Sequence, residues 1–122
     1  MKTKNGTERR STDTCVSVNA GICGFTCLIK AWKIGKRAVG LEISESECQQ
    51  IQKFSEILRK LTLKEVFTMV TRNPVYLAAE KSNCHPSCPV PAAVLKAAEV
   101  AMEMALPREA MIRFEPCKEE KV

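Results

Sequence analysis

The chain has 122 residues, a net charge of +5, 45% apolar and only 5% aromatic residues, and seven cysteines. This length gives one domain, large enough to bury a core without covalent staples. The modest charge does not by itself mark a nucleic-acid binder, and no run approaches the roughly 18 apolar residues of a membrane helix.

Residues 1–13 are polar and lack the apolar stretch of a secretory signal, so they are expected to form a disordered tail on a cytoplasmic protein. In a reducing compartment seven cysteines are expected as thiols, metal ligands or catalytic groups rather than disulfides. The odd count also argues against a closed disulfide framework.

A single α+β domain is expected over 14–116, with a frayed tail at 117–122. Cys15 to Asn19 alternates, with Val16 and Val18 on one face, and reads as a strand. Gly21-Ile22-Cys23-Gly24 reads as a turn. Phe25 to Lys33 places Phe25, Cys27, Ile29 and Ala31 on one face, and Gly35 turns the chain into a third strand led by Val39, Leu41 and Ile43. These elements form an antiparallel meander with one buried face.

Helices follow. Ser44-Glu45-Ser46-Glu47 and Thr62-Leu63-Lys64-Glu65 both have capping-box spacing. The first box introduces an apolar stripe of Cys48, Ile51, Phe54, Leu58 and Leu61. Asn73-Pro74 starts a short helix that ends near Ser82-Asn83. A proline-rich connector, Cys84 to Pro91, leads to an Ala-rich helix over 92–106, stopped by Pro107. A last strand over 110–115 is expected to point Ala110, Ile112 and Phe114 inward, and Met102, Met104 and Met111 are expected in the core. The fold expected is therefore α+β with a three- to four-stranded, mainly antiparallel sheet, helices packed on one face, and the order βββααααβ.

Cysteine chemistry is the main functional signal. Cys84-His85-Pro86-Ser87-Cys88 puts two thiols and the single histidine just before a helix. Cys88 precedes a proline and reads as an N-cap, where free N–H groups and the helix dipole favour a thiolate. Cys23 lies between glycines that let a bound group approach the backbone. If the two places meet, Cys23, Cys84 and Cys88, with His85 or Cys27 as a fourth ligand, suit zinc or an iron–sulfur cluster. The Cys-x3-Cys spacings at Cys23/Cys27 and Cys84/Cys88 match no standard zinc ribbon or ferredoxin run. Cys27 and Cys48 lie on apolar faces and read as core, while Cys15 and Cys117 read as idle exposed thiols.

The competing readings are a thiol redox or sulfur-carrier protein using Cys23 or Cys88, and a non-catalytic binding module with structural cysteines. Lys30, Lys33, Lys36 and Arg37 beside Trp32 form a weak version of a stacking and charge platform, and read better as a solvated hairpin that argues against a nucleic-acid partner. Phosphate-binding, nucleophile-elbow and zinc-protease motifs are missing from the sequence, so whether the protein is an enzyme stays open. A membrane is not expected as a partner; a homo-oligomer or a protein partner is left open.

The strings Asn19-Ala20-Gly21-Ile22-Cys23-Gly24-Phe25 and Cys88-Pro89-Val90-Pro91-Ala92 resemble those of a small uncharacterised family of cysteine-containing proteins from anaerobic archaea and bacteria. The resemblance covers 14–115 and carries no assigned activity. It implies an oxygen-free source, in which thiolate and iron–sulfur chemistry are common.

Overall fold

A computed structural model describes residues 13–118. The expected tails fall largely outside that range. Four strands form one antiparallel sheet in the order β1-β2-β3-β4, from β1 (Thr14–Asn19), β2 (Thr26–Ile34), β3 (Ala38–Ser44) and β4 (Lys60–Thr62). The helices are α1 (Gln49–Ile57), the single turn α2 (Leu63–Val66), α3 (Pro74–Lys81) and α4 (Val90–Ala101), with a 3-10 turn at Val70–Arg72.

The α+β class and antiparallel sheet are as expected, because alternation fixes which strand face is buried. Val18, Cys27, Ile29, Ala31, Val39, Leu41 and Ile43 all project into the core, where α4 lies across β1 and β2 and α1 packs on β3. Phe54, Leu61, Val75 and Val94 fill the space between helices and sheet. On the other face the Trp32 indole lies over Gly40, its cross-strand partner. Lys30, only 8% exposed, is held there by the Asp13 carboxylate at 3.5 Å, so the basic hairpin is not wholly solvated as expected.

Several local expectations are corrected. The fourth strand is β4, not 110–115. The latter run has neither strand nor helix, and Ile112 and Phe114 are 85% and 97% exposed. Met104 and Met111 are exposed too, while Met102 is buried. Leu61 belongs to β4 instead of extending the first helix.

The Ser44 capping box does not form. Ser44 stays in β3 paired with Leu28, Glu45 takes a positive φ of 57°, and α1 begins after Cys48. The Thr62 box forms fully, with Glu65 N–H donating to Thr62 Oγ1 at 3.2 Å and Thr62 N–H donating to Glu65 Oε1 at 2.9 Å.

α4 starts at Val90, and Pro89 is its N-cap. The helix stops at Ala101, well before Pro107. Glu103 has a φ of 64°, and the N–H groups of Met104 and Glu103 donate to the carbonyls of Glu99 and Val100 at 2.8 and 2.9 Å. That is a Schellman ending with glutamate in the position usually given to glycine.

No helix among the described residues is long and apolar enough to cross a membrane.

Candidate functional site

The meander topology brings four chain segments to one end of the sheet: the β1–β2 turn, the start of β2, the β3–α1 junction and the start of α4. Each carries a cysteine. Cys23, Cys27, Cys48 and Cys88 line one small cavity of about 20 Å³, together with Phe25, Ile51 and Val90.

Each thiol has its own local cause. Asn19 Oδ1 accepts from Gly21 N–H at 3.0 Å, and Gly24 N–H donates to the Gly21 carbonyl at 2.8 Å. Gly21 and Gly24 both have positive φ, at 93° and 77°, a region open to glycine at no steric cost. This turn holds Cys23 exposed at the cavity mouth.

Cys27 is an inward-facing residue of β2, opposite Val18, and is buried. Cys48 is the N-cap residue of α1, its N–H bonded to Ser46 Oγ at 3.2 Å and its thiol donating to Gln50 Oε1 at 3.2 Å.

Cys84 follows another Schellman ending. Asn83 has a φ of 60°, and the Cys84 N–H reaches the Ala79 carbonyl at 3.0 Å. Cys88 closes the turn begun at His85, with its N–H on the His85 carbonyl at 3.0 Å.

The electrostatics tie these groups together. Burial pushes the Cys27 thiol up to about 11, and the Cys88 and Cys48 thiols add to the shift. Cys84 is also raised to about 11, by burial first and then by Cys88 and Cys48. Cys88 is raised by burial most of all, then by Cys48 and Cys23, against a lowering contribution from the Val90 N–H bonded to its sulfur. The helix-start donor expected from the sequence thus reaches Cys88. It is outweighed by desolvation, so the expected thiolate is not favoured.

Of the residues singled out from the sequence, Cys23 and Cys88 share the cavity wall. Cys84 is half-buried and close enough to feel Cys88 and Cys48, but is not part of the wall. His85 is exposed and also off the wall. Sequence reasoning assigned Cys27 and Cys48 to the core. The usable signal was topological: in an antiparallel meander the start of β2 and the end of β3 lie at the same sheet end.

All seven cysteines are free thiols. Among the described residues, no three His, Cys, Asp or Glu side chains stand close enough together to hold a metal ion as they are placed. The wall carries four thiols around an apolar void, with no carboxylate or amine among its lining residues. Tetrahedral ligation would need sulfur atoms about 3.8 Å apart, from bonds of about 2.3 Å to a common ion.

No curated protein and no solved structure matches the chain. A family model matches residues 14–114, most of the sequence and all the elements above, and the chain belongs to this family of unknown function, DUF6951.

Proposed function

We propose that the protein binds a soft metal ion through Cys23, Cys27, Cys48 and Cys88, with Cys84 adjacent as an alternative donor. The observation that carries this reading is the convergence of four thiols, from four separate segments, on one small cavity. A volume of about 20 Å³ is close to that of a single water-sized probe. That favours one ion, such as zinc, over a multi-atom iron–sulfur cluster.

The raised thiols fit the same reading. A buried thiol without a cation stays protonated, whereas a coordinated one is deprotonated outright. When bound, the metal would supply the positive charge that offsets the mutual repulsion of the thiolates. The chain's own contribution is to hold Cys27, Cys48 and Cys88 out of bulk water and Cys23 at the mouth.

The shift also weighs against Cys88 as a nucleophile, because a nucleophilic cysteine needs a depressed pKa and burial pushes Cys88 the other way. An oxygen-free source, as the family resemblance implies, would keep all these thiols reduced.

The test is an oxygen-free titration of the reduced protein with cobalt(II), read by thiolate-to-metal absorption and followed by displacement with zinc(II). Saturation at one ion per chain, lost in Cys27→Ala and Cys88→Ala, is the expected result. An iron–sulfur spectrum after reconstitution with iron and sulfide, without cobalt binding, would replace the single ion by a cluster. Failure to bind either would overturn the reading.

A further inference from the structure

The thiol cluster carries a second chemistry that needs no metal. Of the four cysteines lining the cavity, Cys23 alone is exposed, while Cys27 is buried and Cys48 and Cys88 are half-buried. Cys23 stands on the β1–β2 turn beside fully exposed Ile22, and no atom lies within 4 Å of where a Cβ would stand at Gly21 or Gly24. Among the wall thiols it is therefore the one that a small oxidant in solution meets first. Cys15 and Cys117 are exposed as well, but lie outside the wall.

The other wall thiols differ in what already holds them. Cys27 is an inward residue of β2 in register with Val18, and the Cys48 thiol donates to Gln50 Oε1 at 3.2 Å. Cys88 sits on the turn before α4, with its N–H on the His85 carbonyl. It is also the thiol at which charge on Cys23 is felt, whereas Cys27 and Cys84 feel Cys88 and Cys48. Within the cluster, Cys88 is thus the neighbour of Cys23.

We propose that Cys23 and Cys88 form a redox pair that a peroxide closes into a disulfide. Hydrogen peroxide oxidises the Cys23 thiol to a sulfenic acid; the O–O bond breaks and one water leaves. The Cys88 sulfur then attacks the Cys23 sulfur, the S–O bond breaks, and the hydroxyl leaves with the Cys88 proton as a second water. Both sulfurs are oxidised, and one peroxide is reduced to two waters. A shared cavity wall offsets the low acidity of the Cys88 thiol, because attack within one chain needs no diffusional encounter. A disulfide joins Cβ atoms about 3.8 Å apart, so the bond takes up the void between the two residues. It also withdraws two of the four metal donors, making peroxide and metal compete for the same sulfurs. That regulatory consequence rests on the metal reading above, whereas the disulfide does not.

The test treats the reduced, metal-free full chain with one equivalent of hydrogen peroxide, blocks the remaining thiols by alkylation, and maps the linked residues by fragmentation mass spectrometry. The expected product is a monomer lighter by two hydrogens, with Cys23 joined to Cys88 and the bond reversed by dithiothreitol. In Cys88→Ser the bond is lost, and dimedone is expected to trap Cys23 as its sulfenic acid. A bond from Cys88 to Cys48 or Cys84 instead, a chain-to-chain Cys23 disulfide, or peroxide consumption without a Cys23–Cys88 bond overturns the proposal. Cobalt(II) titration of the reduced and oxidised forms keeps the two readings apart. Binding that is lost on oxidation and returns with dithiothreitol supports the regulatory link, and equal binding by both forms overturns that link. A disulfide in a chain that binds no cobalt when reduced sinks the metal reading and upholds the redox pair.

Discussion

Replacing Gly40 by alanine tests the packing of the sheet's outer face, and its cost can be worked from the structure. Gly40 stands opposite Trp32 in the β2–β3 ladder, and the indole fills the space a side chain would take. A Cβ added there would lie 2.6 Å from Trp32 Cζ2 and Nε1, and closer still to Cε2. Carbon atoms in good contact are about 3.5–4.0 Å apart, so the ring must withdraw by about 1 Å. Overpacking of this kind costs about 1–3 kcal/mol. Restricting the unfolded chain returns about 0.4–1 kcal/mol, because Gly40 does not need a positive φ. The expected net loss for Gly40→Ala is about 1–2 kcal/mol. Denaturant unfolding of the reduced protein, followed by circular dichroism, measures it. The emission of Trp32, the only tryptophan, reports the ring's displacement separately. In a Trp32→Ala background the added methyl meets no ring, so Gly40→Ala should be neutral or stabilising there, giving a clear coupling energy. An equal cost in both backgrounds would refute the reasoning.

Other outcomes follow from the same contacts. Asn73, 2% exposed, accepts from Val75 N–H at 2.9 Å and donates to the carbonyls of Thr68 at 2.9 Å and Glu65 at 3.1 Å. Asn73→Ala removes an N-cap and takes the side-chain donor from the Thr68 carbonyl, while the Glu65 carbonyl keeps the Thr68 N–H, so denaturation should show a loss of about 2 kcal/mol. Asn73→Asp keeps the acceptor but sets a carboxylate against carbonyl oxygens, and should not restore stability. The pH dependence has a definite sign. The Cys27 and Cys84 thiols ionise near 9 in the unfolded chain and near 11 in the native one, so between those values the native state holds more protons. Their contribution to stability is full below pH 9 and falls as pH rises towards 11, which unfolding at a series of alkaline pH values would reveal. Timed alkylation with mass mapping should label exposed Cys15, Cys23 and Cys117 first and Cys27 last, with Cys23 becoming protected once metal is added.

The sheet was legible because strand alternation is local. Val16 and Val18, Cys27 to Ala31, and Val39 to Ile43 announce their buried faces without knowledge of the rest of the chain. Asn73-Pro74 and Thr62-x-x-Glu65 worked for the same reason, since each satisfies its own backbone donors. Misreadings arose where a competing arrangement used the same groups. Ser44 could cap a helix, but pairing with Leu28 kept it in β3. Leu61 continued an apolar stripe, yet the ladder opposite Val39 claimed it as β4. The end of α3 at Ser82-Asn83 was legible, since asparagine also takes the left-handed position, whereas the ending at Glu103 was invisible because glutamate rarely stands there. Alternation over 110–115 promised a strand, but among the described residues that segment pairs with no strand of the sheet.

The candidate site was half legible. Cys23 and Cys88 stood out by their turn and helix-start settings, whereas Cys27 and Cys48 looked like small hydrophobes on apolar stripes. Their place in the cavity wall emerges only when the register of the meander puts the start of β2 beside the end of β3. Cys88 shows the limit of a local argument: the Val90 N–H does bond its sulfur, yet burial and neighbouring thiols set the net direction.

The most direct test of the central claim is elemental analysis of protein purified without oxygen, alongside a Cys27→Ala/Cys88→Ala variant and a Cys15→Ala/Cys117→Ala control. The account predicts one soft metal ion per chain in the wild type and control, and none in the Cys27/Cys88 variant. A wild type without metal, or equal metal in all three, would contradict it.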